Sequence, residues 1–137
     1  MNPEFERAVG FISDEMFEII IRGTNSIFVG GQFYNEDEKV WENVHRSVLT
    51  NRLIPAYEYP WGFGLYFRGT QNSPVSMNGE SWEFVGYTNV ICRGNIKYLL
   101  DFNASNKITL PDSAFFSMFS GWDKLIAAPS FPNDSEV

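Results

Sequence analysis

The stretch from Trp61 to Phe102 constrains the fold most, because its apolar residues come in short segments separated by glycine and asparagine. Such segments are too short for typical helices and are characteristic of strands joined by turns. We therefore expect a sheet in this part of the chain. The predicted strands are 64–68, 82–87 with a continuation over 88–92 past a bulge at Gly86, 96–102, and a short edge strand over 107–110.

Three apolar segments end in the same way, with Arg-Gly followed by a small polar residue. They read IIIRGTNS at 19–26, LYFRGTQNS at 65–73 and VICRGNIK at 90–97. Glycine can adopt the positive φ of a tight turn, and an arginine at a strand end can reach water or an acid. This pattern predicts three strand ends, so Arg68 is expected to end a strand rather than to act alone as a ligand-binding group.

The first thirty residues contain two apolar runs rich in isoleucine, 17–22 and 27–29, on either side of Gly-Thr-Asn-Ser. The pattern favours a β-hairpin, although a helix over 13–22 remains an alternative because its apolar residues also fit one helical face. Before this region, Pro3 after Asn2 indicates a short helix over 3–9 that ends at Gly10.

Two longer helices are predicted from capping residues and helical spacing. Asn35 precedes a glutamate at the third following position, and Val40, Trp41, Val44 and Val48 then follow at helical intervals, which predicts a helix over 36–52. After Pro111, a cap at Asp112 or Ser113 introduces a second helical pattern that extends to Ile126.

These elements together predict an α+β fold. We expect a mainly antiparallel sheet of about five or six short strands, with the 36–52 helix and the C-terminal helix packed on one face. Residues 1–130 would form one domain and residues 131–137 a flexible acidic tail. If the 17–29 hairpin lies at a sheet edge, its apolar surface would favour homo-oligomer formation.

The net charge of −7 is concentrated near the start of the chain. Residues 1–42 carry nine acidic and three basic side chains, a net of −6. A field of this sign repels nucleic acid and attracts a basic protein, although acidic surfaces also simply keep small proteins soluble. The acidic face predicted to bind a partner comprises Asp14, Glu15, Glu18, Glu36, Asp37, Glu38 and Glu42.

The aromatic residues suggest a second kind of site. Aromatic side chains make up 17% of the chain, and several lie near arginines in the sequence. Stacking planes and guanidinium groups suit a nucleotide or another anionic aromatic ligand, whereas packing of a core is the competing explanation for so many rings. The residues predicted to bind such a ligand are Tyr59, Trp61, Arg68, Trp82, Tyr87 and Arg93.

Catalytic and metal-binding patterns are weak in this sequence. His45 is the single histidine and Cys92 the single cysteine, so neither a nucleophile beside a histidine base nor a cysteine and histidine metal site is indicated. We therefore expect no enzyme activity, no metal and no cofactor. An enzyme acting through carboxylates such as Glu58, Glu80 and Glu83 is kept as a third interpretation.

The sequence contains no apolar run long enough for a membrane span, and acids stand where a secretory signal would be basic and then apolar. These features predict a cytoplasmic protein that does not bind membranes. Our main expectation is a small acidic protein that binds and inhibits a basic protein partner, in the manner of anti-defence inhibitors of phages or mobile elements. The alternative is a module that binds or sequesters a small molecule or nucleotide.

Overall fold

The computed structural model describes residues 3–23, 31–44, 50–70, 84–100 and 125–127. In chain order these ranges contain a 3-10 helix (Pro3–Arg7), β1 (Val9–Ser13), β2 (Glu18–Gly23), β3 (Gly31–Asn35), β4 (Val40–Asn43), β5 (Thr50–Pro55), β6 (Tyr57–Tyr59), β7 (Gly62–Gly69), β8 (Phe84–Val85), β9 (Val90–Arg93), α1 (Lys97–Leu100) and β10 (Leu125–Ala127). The described chain is mostly β, so the prediction of an α+β fold with two packed helices is wrong.

The strands form two sheets. The larger, seven-stranded sheet has the order β10-β9-β1-β7-β3-β4, and β6 pairs with the first part of β7. Its neighbouring strands are antiparallel except for β10 and β9, which are parallel. The smaller sheet has the order β5-β2-β8 and is antiparallel. β7 is the hub of the larger sheet, because β1 lies along one side and β3 and β6 share the other.

The core lies between the two sheets. Alternate residues of β1, β2 and β7 point inward, as strand geometry requires, and they belong to one buried cluster. Phe11 and Phe67 of the larger sheet meet Phe84 of the smaller one, with ring centroids 4.9 and 5.1 Å from that of Phe84. The fully buried side chains include Val9, Phe11, Ile19, Ile21, Leu65, Phe67, Phe84, Ile96 and Leu99.

The predicted helix over 36–52 is absent from the described part of that range. Asn35 does cap a turn, since its Oδ1 accepts the Glu38 N–H at 3.1 Å and its carbonyl accepts the Lys39 N–H at 2.7 Å. Lys39 then adopts a φ of 58°, in the left-handed region, which ends the turn after four residues. The chain reverses, and β4 pairs with β3. Residues 45–49 lie outside the described residues.

Two further predictions near the C-terminus are corrected. The proposed strand over 96–102 is instead the short helix α1 where the structure describes it, because Ile96 and Leu99, three residues apart, both enter the core. Leu125 and Ile126, assigned to the C-terminal helix, lie in β10. The rest of that helix, the 107–110 strand and the 131–137 tail lie outside the described residues.

At the N-terminus, the helix over 3–9 is reduced to one 3-10 segment, and Gly10 lies within β1 instead of ending a helix. The strand interpretation of 17–22 is confirmed by β2, and the alternative helix over 13–22 is wrong. β2 is the central strand of its sheet, paired with β5 and β8, so it is not an exposed edge for self-association. The other half of the predicted hairpin, 27–29, lies outside the described residues.

The predicted strand over 64–68 is confirmed within β7. Phe84–Val85 is the strand portion of 82–87 that the structure describes, and the continuation past Gly86 is wrong because β8 and β9 lie in different sheets. All three Arg-Gly pairs stand at strand ends, as predicted. Gly94 has the expected positive φ of 105°, whereas Gly69 remains within the sheet and pairs with Gly31.

Within the ranges that the structure describes, no helix has the length and apolar character needed to cross a membrane.

Candidate functional site: an aromatic cavity on the larger sheet

The outer face of the larger sheet, opposite the core, carries a layer of aromatic rings. Because Leu65 and Phe67 point into the core, Tyr66 between them points outward. The 3-10 helix lies over this face and places Phe5 on Tyr66, with 3.6 Å between ring centroids and 8° between planes. Phe5 also meets Tyr34 edge to face at 5.2 Å. The short N-terminal helix therefore serves as a cover for aromatic side chains.

Gly10 makes this layer possible. It is the direct partner of Tyr66 across the β1–β7 pair. A Cβ atom at Gly10 would come within 2.4 Å of Tyr66 Cε1, far inside van der Waals contact. The Tyr66 ring thus lies across the bare backbone of β1, between Gly10 on one side and the Phe5 ring on the other.

A cavity of about 720 Å³ opens beside this layer. Its size falls within the range of roughly 300–1,000 Å³ that is usual for small-molecule sites. Its walls come from the 3-10 helix, β1, β6, the turn between β6 and β7, β7 itself, the end of β9 and the turn after β3. The lining residues are Phe5, Ala8, Gly10, Ile12, Glu36, Tyr59, Trp61, Tyr66, Arg93 and Gly94.

Tyr59 and Trp61 form one wall as a stacked pair. Their ring centroids are 5.0 Å apart and their planes differ by 5°. Tyr59 also meets Tyr66 edge to face at 6.2 Å, which joins this wall to the Phe5 and Tyr66 stack. Trp61 is 52% exposed, so a large aromatic surface remains open to solvent at the cavity.

Two polar atoms of the cavity residues are buried without a hydrogen-bond partner: Glu36 Oε1 and the Tyr59 hydroxyl. The second carboxylate oxygen of Glu36 pairs with the Lys39 ammonium group. An unpaired buried polar group costs about 1–3 kcal/mol, and native proteins leave few of them. Both atoms belong to residues that line the same cavity, but neither atom itself has surface accessible from it.

Burial controls the protonation of the two tyrosines. It raises the pKa of Tyr59, and the neighbouring Tyr66, Tyr34 and Tyr57 raise it further. Burial also raises the pKa of Tyr66 to about 12, although the Arg93 guanidinium partly opposes this shift. Both side chains are therefore neutral hydroxyls at physiological pH, able to donate or accept a hydrogen bond.

The charged residues of the cavity lie at opposite ends. Arg93 ends β9, whereas Glu36 directly follows β3. β1 and β7 separate these two strands, and three spacings of about 4.8 Å place them roughly 14 Å apart. The cavity thus has the exposed Arg93 on its β9 side, near Tyr66, and Glu36, paired with Lys39, on its β3 side.

Of the residues predicted to bind a ligand, Tyr59, Trp61 and Arg93 line the cavity and Arg68 does not. Arg68 lies over the Trp41 ring at 4.2 Å, and its Nε donates to Gln32 Oε1 at 2.9 Å. Burial lowers the pKa of Arg68, while Glu4 acts in the opposite direction. Arg68 is thus held in a network on the β3–β4 side of the sheet.

Tyr87 and Trp82, the remaining two predicted ligand residues, are not placed in the cavity. Tyr87 is 68% exposed and lies beside a separate hollow lined by Met16, Phe17 and Glu18. Trp82 lies outside the described residues.

The structure brings part of the predicted acidic face together around Trp61. Asp14 and Glu15 line a second cavity of about 570 Å³ that shares Trp61 with the aromatic cavity, where Glu36 lies. Asp37 and Glu38 are exposed in the same turn as Glu36. Glu18 and Glu42 are apart from this group: Glu18 borders the hollow near Tyr87, and Glu42 accepts a hydrogen bond from Asn35 Nδ2.

Sequence reasoning missed Phe5 and Tyr66 as parts of the site and assigned Glu36 only to the acidic face. A signal for Tyr66 was present, since alternation along Leu65, Tyr66 and Phe67 puts the middle ring on the face opposite the core. Phe5 had no comparable signal, because its position depends on how the 3-10 helix folds back over the sheet.

Comparison with protein-family models, with curated proteins and with solved structures finds no match for this chain. Among the residues that the structure describes, no group of three or more histidine, cysteine, aspartate or glutamate side chains is arranged to hold a metal ion. Cys92 is buried, and burial raises the pKa of its thiol.

Proposed function

We propose that this protein is a non-enzymatic binding module that takes an organic ligand, or one group of a larger partner, in its aromatic cavity. The observation that carries the proposal is a cavity whose wall is an aromatic stack, Tyr59 on Trp61, with the Trp61 side chain half-exposed. Few polar groups within a mainly aromatic lining are typical of small-molecule sites.

The lining favours binding over catalysis. Among the described residues that line it, Glu36, Tyr59, Tyr66 and Arg93 carry hydroxyl or charged groups, and none of the described lining residues is a serine, cysteine or threonine. The stacked Tyr59 and Trp61 would contribute apolar contact area.

A fragment screen by ligand-observed NMR tests this proposal. We expect aromatic fragments to bind the wild-type protein and to lose at least about tenfold in affinity, or roughly 1.4 kcal/mol, in Trp61→Ala. Tyr87→Ala is the matched control, since it also removes an exposed aromatic ring but lies outside the cavity. A screen without hits, or equal losses in both variants, contradicts the proposal.

A second candidate function is the binding and inhibition of a basic protein partner. It is favoured by the position of Asp14 and Glu15 on one side of Trp61 and of Glu36 on the other, in a chain of net charge −7. Acids gathered near an exposed aromatic ring would steer a cationic surface toward it and would make association fall with salt.

The second candidate is tested by capture of partners from a lysate at low and high salt. We expect a basic protein to be retained at low salt and released at high salt, and to bind Asp14→Asn more slowly than wild type. Glu6→Gln removes the same charge from the exposed surface of the 3-10 helix and should have less effect. A partner held equally at both salt concentrations contradicts the electrostatic account.

A further inference from the structure

We propose that the aromatic cavity binds a flat organic acid, with the carboxylate of the acid held by the Arg93 guanidinium and the Tyr66 hydroxyl and its ring against the apolar wall at Trp61. This inference rests on the binding function proposed above and adds the class of the ligand and its orientation. Of the anionic ligands expected from the sequence, it selects an acid of single charge instead of a nucleotide.

The first step of the argument is a row of three residues across the larger sheet. Gly10 of β1 is the direct partner of Arg93 in β9 on one side and of Tyr66 in β7 on the other. Directly opposed residues of neighbouring strands point to the same face of a sheet, so the Arg93 and Tyr66 side chains share the outer face. Both residues line the cavity.

Gly10 leaves the space between these two side chains open. A Cβ atom at Gly10 would lie 2.4 Å from Tyr66 Cε1, so the Tyr66 ring leans over β1 into the place that a side chain would occupy. Burial raises the pKa of Tyr66, and the Arg93 guanidinium is near enough to oppose this shift. The hydroxyl and the guanidinium can therefore contact the same ligand group.

The second step is that these two groups are accessible and unpaired. Arg93 is exposed, and neither its guanidinium nor the Tyr66 hydroxyl forms a hydrogen bond or an ion pair with a described residue. The Tyr66 hydroxyl is not one of the buried unpaired atoms in the described ranges, so it keeps accessible surface. Glu36, by contrast, is paired with Lys39. Arg93 is therefore the accessible, uncompensated charge among the described lining residues.

The third step matches these groups to a carboxylate. A guanidinium can bind a carboxylate with two parallel N–H donors, and such charge-assisted hydrogen bonds are stronger than neutral ones. The Tyr66 hydroxyl, which is neutral at physiological pH, can donate one more. One arginine balances a single negative charge, whereas a nucleotide phosphate chain would bring several charges to a protein of net charge −7. A carboxylate therefore fits better than a nucleotide.

The fourth step places the ring of the acid. Ile12 and Gly64 form the next outward-facing row of β1 and β7, roughly 7 Å along the strands from Gly10. A Cβ atom at Gly64 would lie 2.8 Å from the Trp61 ring, so Trp61 lies over this second row. Ile12 and Trp61 both line the cavity. They give an apolar surface beside the Arg93 row, which suits an aromatic ring joined to a carboxylate by a short linker.

The comparison needs probes that share one apolar body and differ only at the end group. Indole-3-acetate is an anion, indole-3-ethanol is neutral and tryptamine is a cation. The test is isothermal titration calorimetry of the full chain with these three compounds. We expect indole-3-acetate to bind at least about tenfold more tightly than indole-3-ethanol, with tryptamine weakest.

Two variants test the residues assigned to the carboxylate. In Arg93→Gln the preference for the acid over the alcohol should disappear, while the melting temperature should stay that of wild type because Arg93 is exposed. Arg7→Gln is the matched control, since it removes the same charge from an exposed position on the 3-10 helix that does not line the cavity. Tyr66→Phe keeps the ring and should weaken binding of the acid at least about threefold.

The outcomes separate this inference from the binding function. Tryptamine binding as tightly as indole-3-acetate, or equal affinities for all three compounds, overturns the inference and leaves the binding function intact. A preference for the acid that survives in Arg93→Gln, or that Arg7→Gln reduces equally, also overturns it. Binding of no carboxylate probe overturns the inference, and together with a fragment screen without hits it contradicts the proposed binding function itself.

The carboxylate could belong to a free acid or to the C-terminus of a partner chain. A second arm therefore uses a short peptide that ends in tryptophan, with its C-terminus either free or amidated. Binding of the free form that is lost on amidation and on Arg93→Gln supports the inference and identifies a chain end as the source. Binding of indole-3-acetate without the peptide supports it with a free acid as the source.

Discussion

The Phe5 ring lies almost parallel to the Tyr66 ring, with centroids 3.6 Å apart, and it is the contact by which the N-terminal helix covers the outer face of the larger sheet. Phe5 is only 9% exposed although it precedes the first strand. The stack forms one side of the cavity, so the stability of this segment and the shape of the site are coupled.

Phe5→Ala should therefore destabilise the protein by about 3 kcal/mol, as expected for removal of a buried aromatic ring. Urea unfolding measures this cost. Leu53→Ala is the control, because Leu53 is 51% exposed on β5 and its truncation should cost within about 0.5 kcal/mol. Equal costs for the two variants would mean that the helix does not pack on Tyr66.

Gly10→Ala should destabilise the wild-type protein by about 1–3 kcal/mol, because the new methyl group would meet the Tyr66 ring at 2.4 Å. The ring cannot move away, since Phe5 covers its other face.

The sign of the Gly10→Ala effect should reverse in a Tyr66→Ala background. There the ring is gone, and alanine is favoured over glycine within a strand by roughly 0.5–1 kcal/mol. Unfolding free energies of the four proteins in this cycle give the result. A cost that is the same in both backgrounds would show that Tyr66 does not lie over Gly10.

The Lys39→Gly variant should be more stable than the Lys39→Val variant. Its φ of 58° costs an ordinary side chain about 1–2 kcal/mol, which glycine avoids and a β-branched residue increases. Lys39→Gly and Lys39→Val both remove the ion pair with Glu36, so the loss of that ion pair does not contribute to their difference in thermal unfolding. Equal melting temperatures would contradict a left-handed Lys39.

The same residue explains why the sequence misled the prediction of helix 36–52. Asn35 and Glu38 carry a real capping signal, and the structure uses it for one turn. Whether a turn continues as a helix depends on what the next residues can pack against. Trp41 pairs across strands with Tyr34, and this tertiary partner overrides the helical spacing of the valines.

Prediction was more successful where the local pattern matched the tertiary environment. β7 has apolar residues between glycines and is a hub strand of the larger sheet, so its strand character was evident from sequence. For the site, Tyr59, Trp61 and Arg93 were identified from residue type alone. Their separation from Arg68 was not predictable, because it depends on the order in which β3, β4 and β9 join the sheet.

Alkaline pH should destabilise the protein through Tyr66. Its pKa rises from 10.0 in the unfolded chain to about 12 in the folded protein, chiefly because of burial. The folded state therefore holds the proton more tightly, so this contribution is fully present below pH 10 and is lost as the pH rises from 10 to 12.

Urea unfolding at intervals between pH 9 and 12 tests this direction, with Tyr66→Phe as the comparison because phenylalanine has no proton to lose. The variant should lose less stability than wild type across this window, although Tyr59, whose pKa is also raised, still contributes. Identical slopes for the two proteins would contradict a buried Tyr66 hydroxyl.

The central claim, that the aromatic cavity binds a ligand beside Trp61, is tested most directly by fluorine NMR of protein labelled with 5-fluorotryptophan. The chain has 4 tryptophans, and Trp61→Phe and Trp41→Phe assign the two relevant resonances. Trp41 is the internal control, since it lies on the same sheet but contacts Glu4 and Arg68 outside the cavity. On addition of an aromatic fragment that binds in the screen, we predict that the Trp61 resonance shifts and saturates while that of Trp41 stays in place. An unchanged Trp61 resonance at a saturating concentration of that fragment would contradict the account.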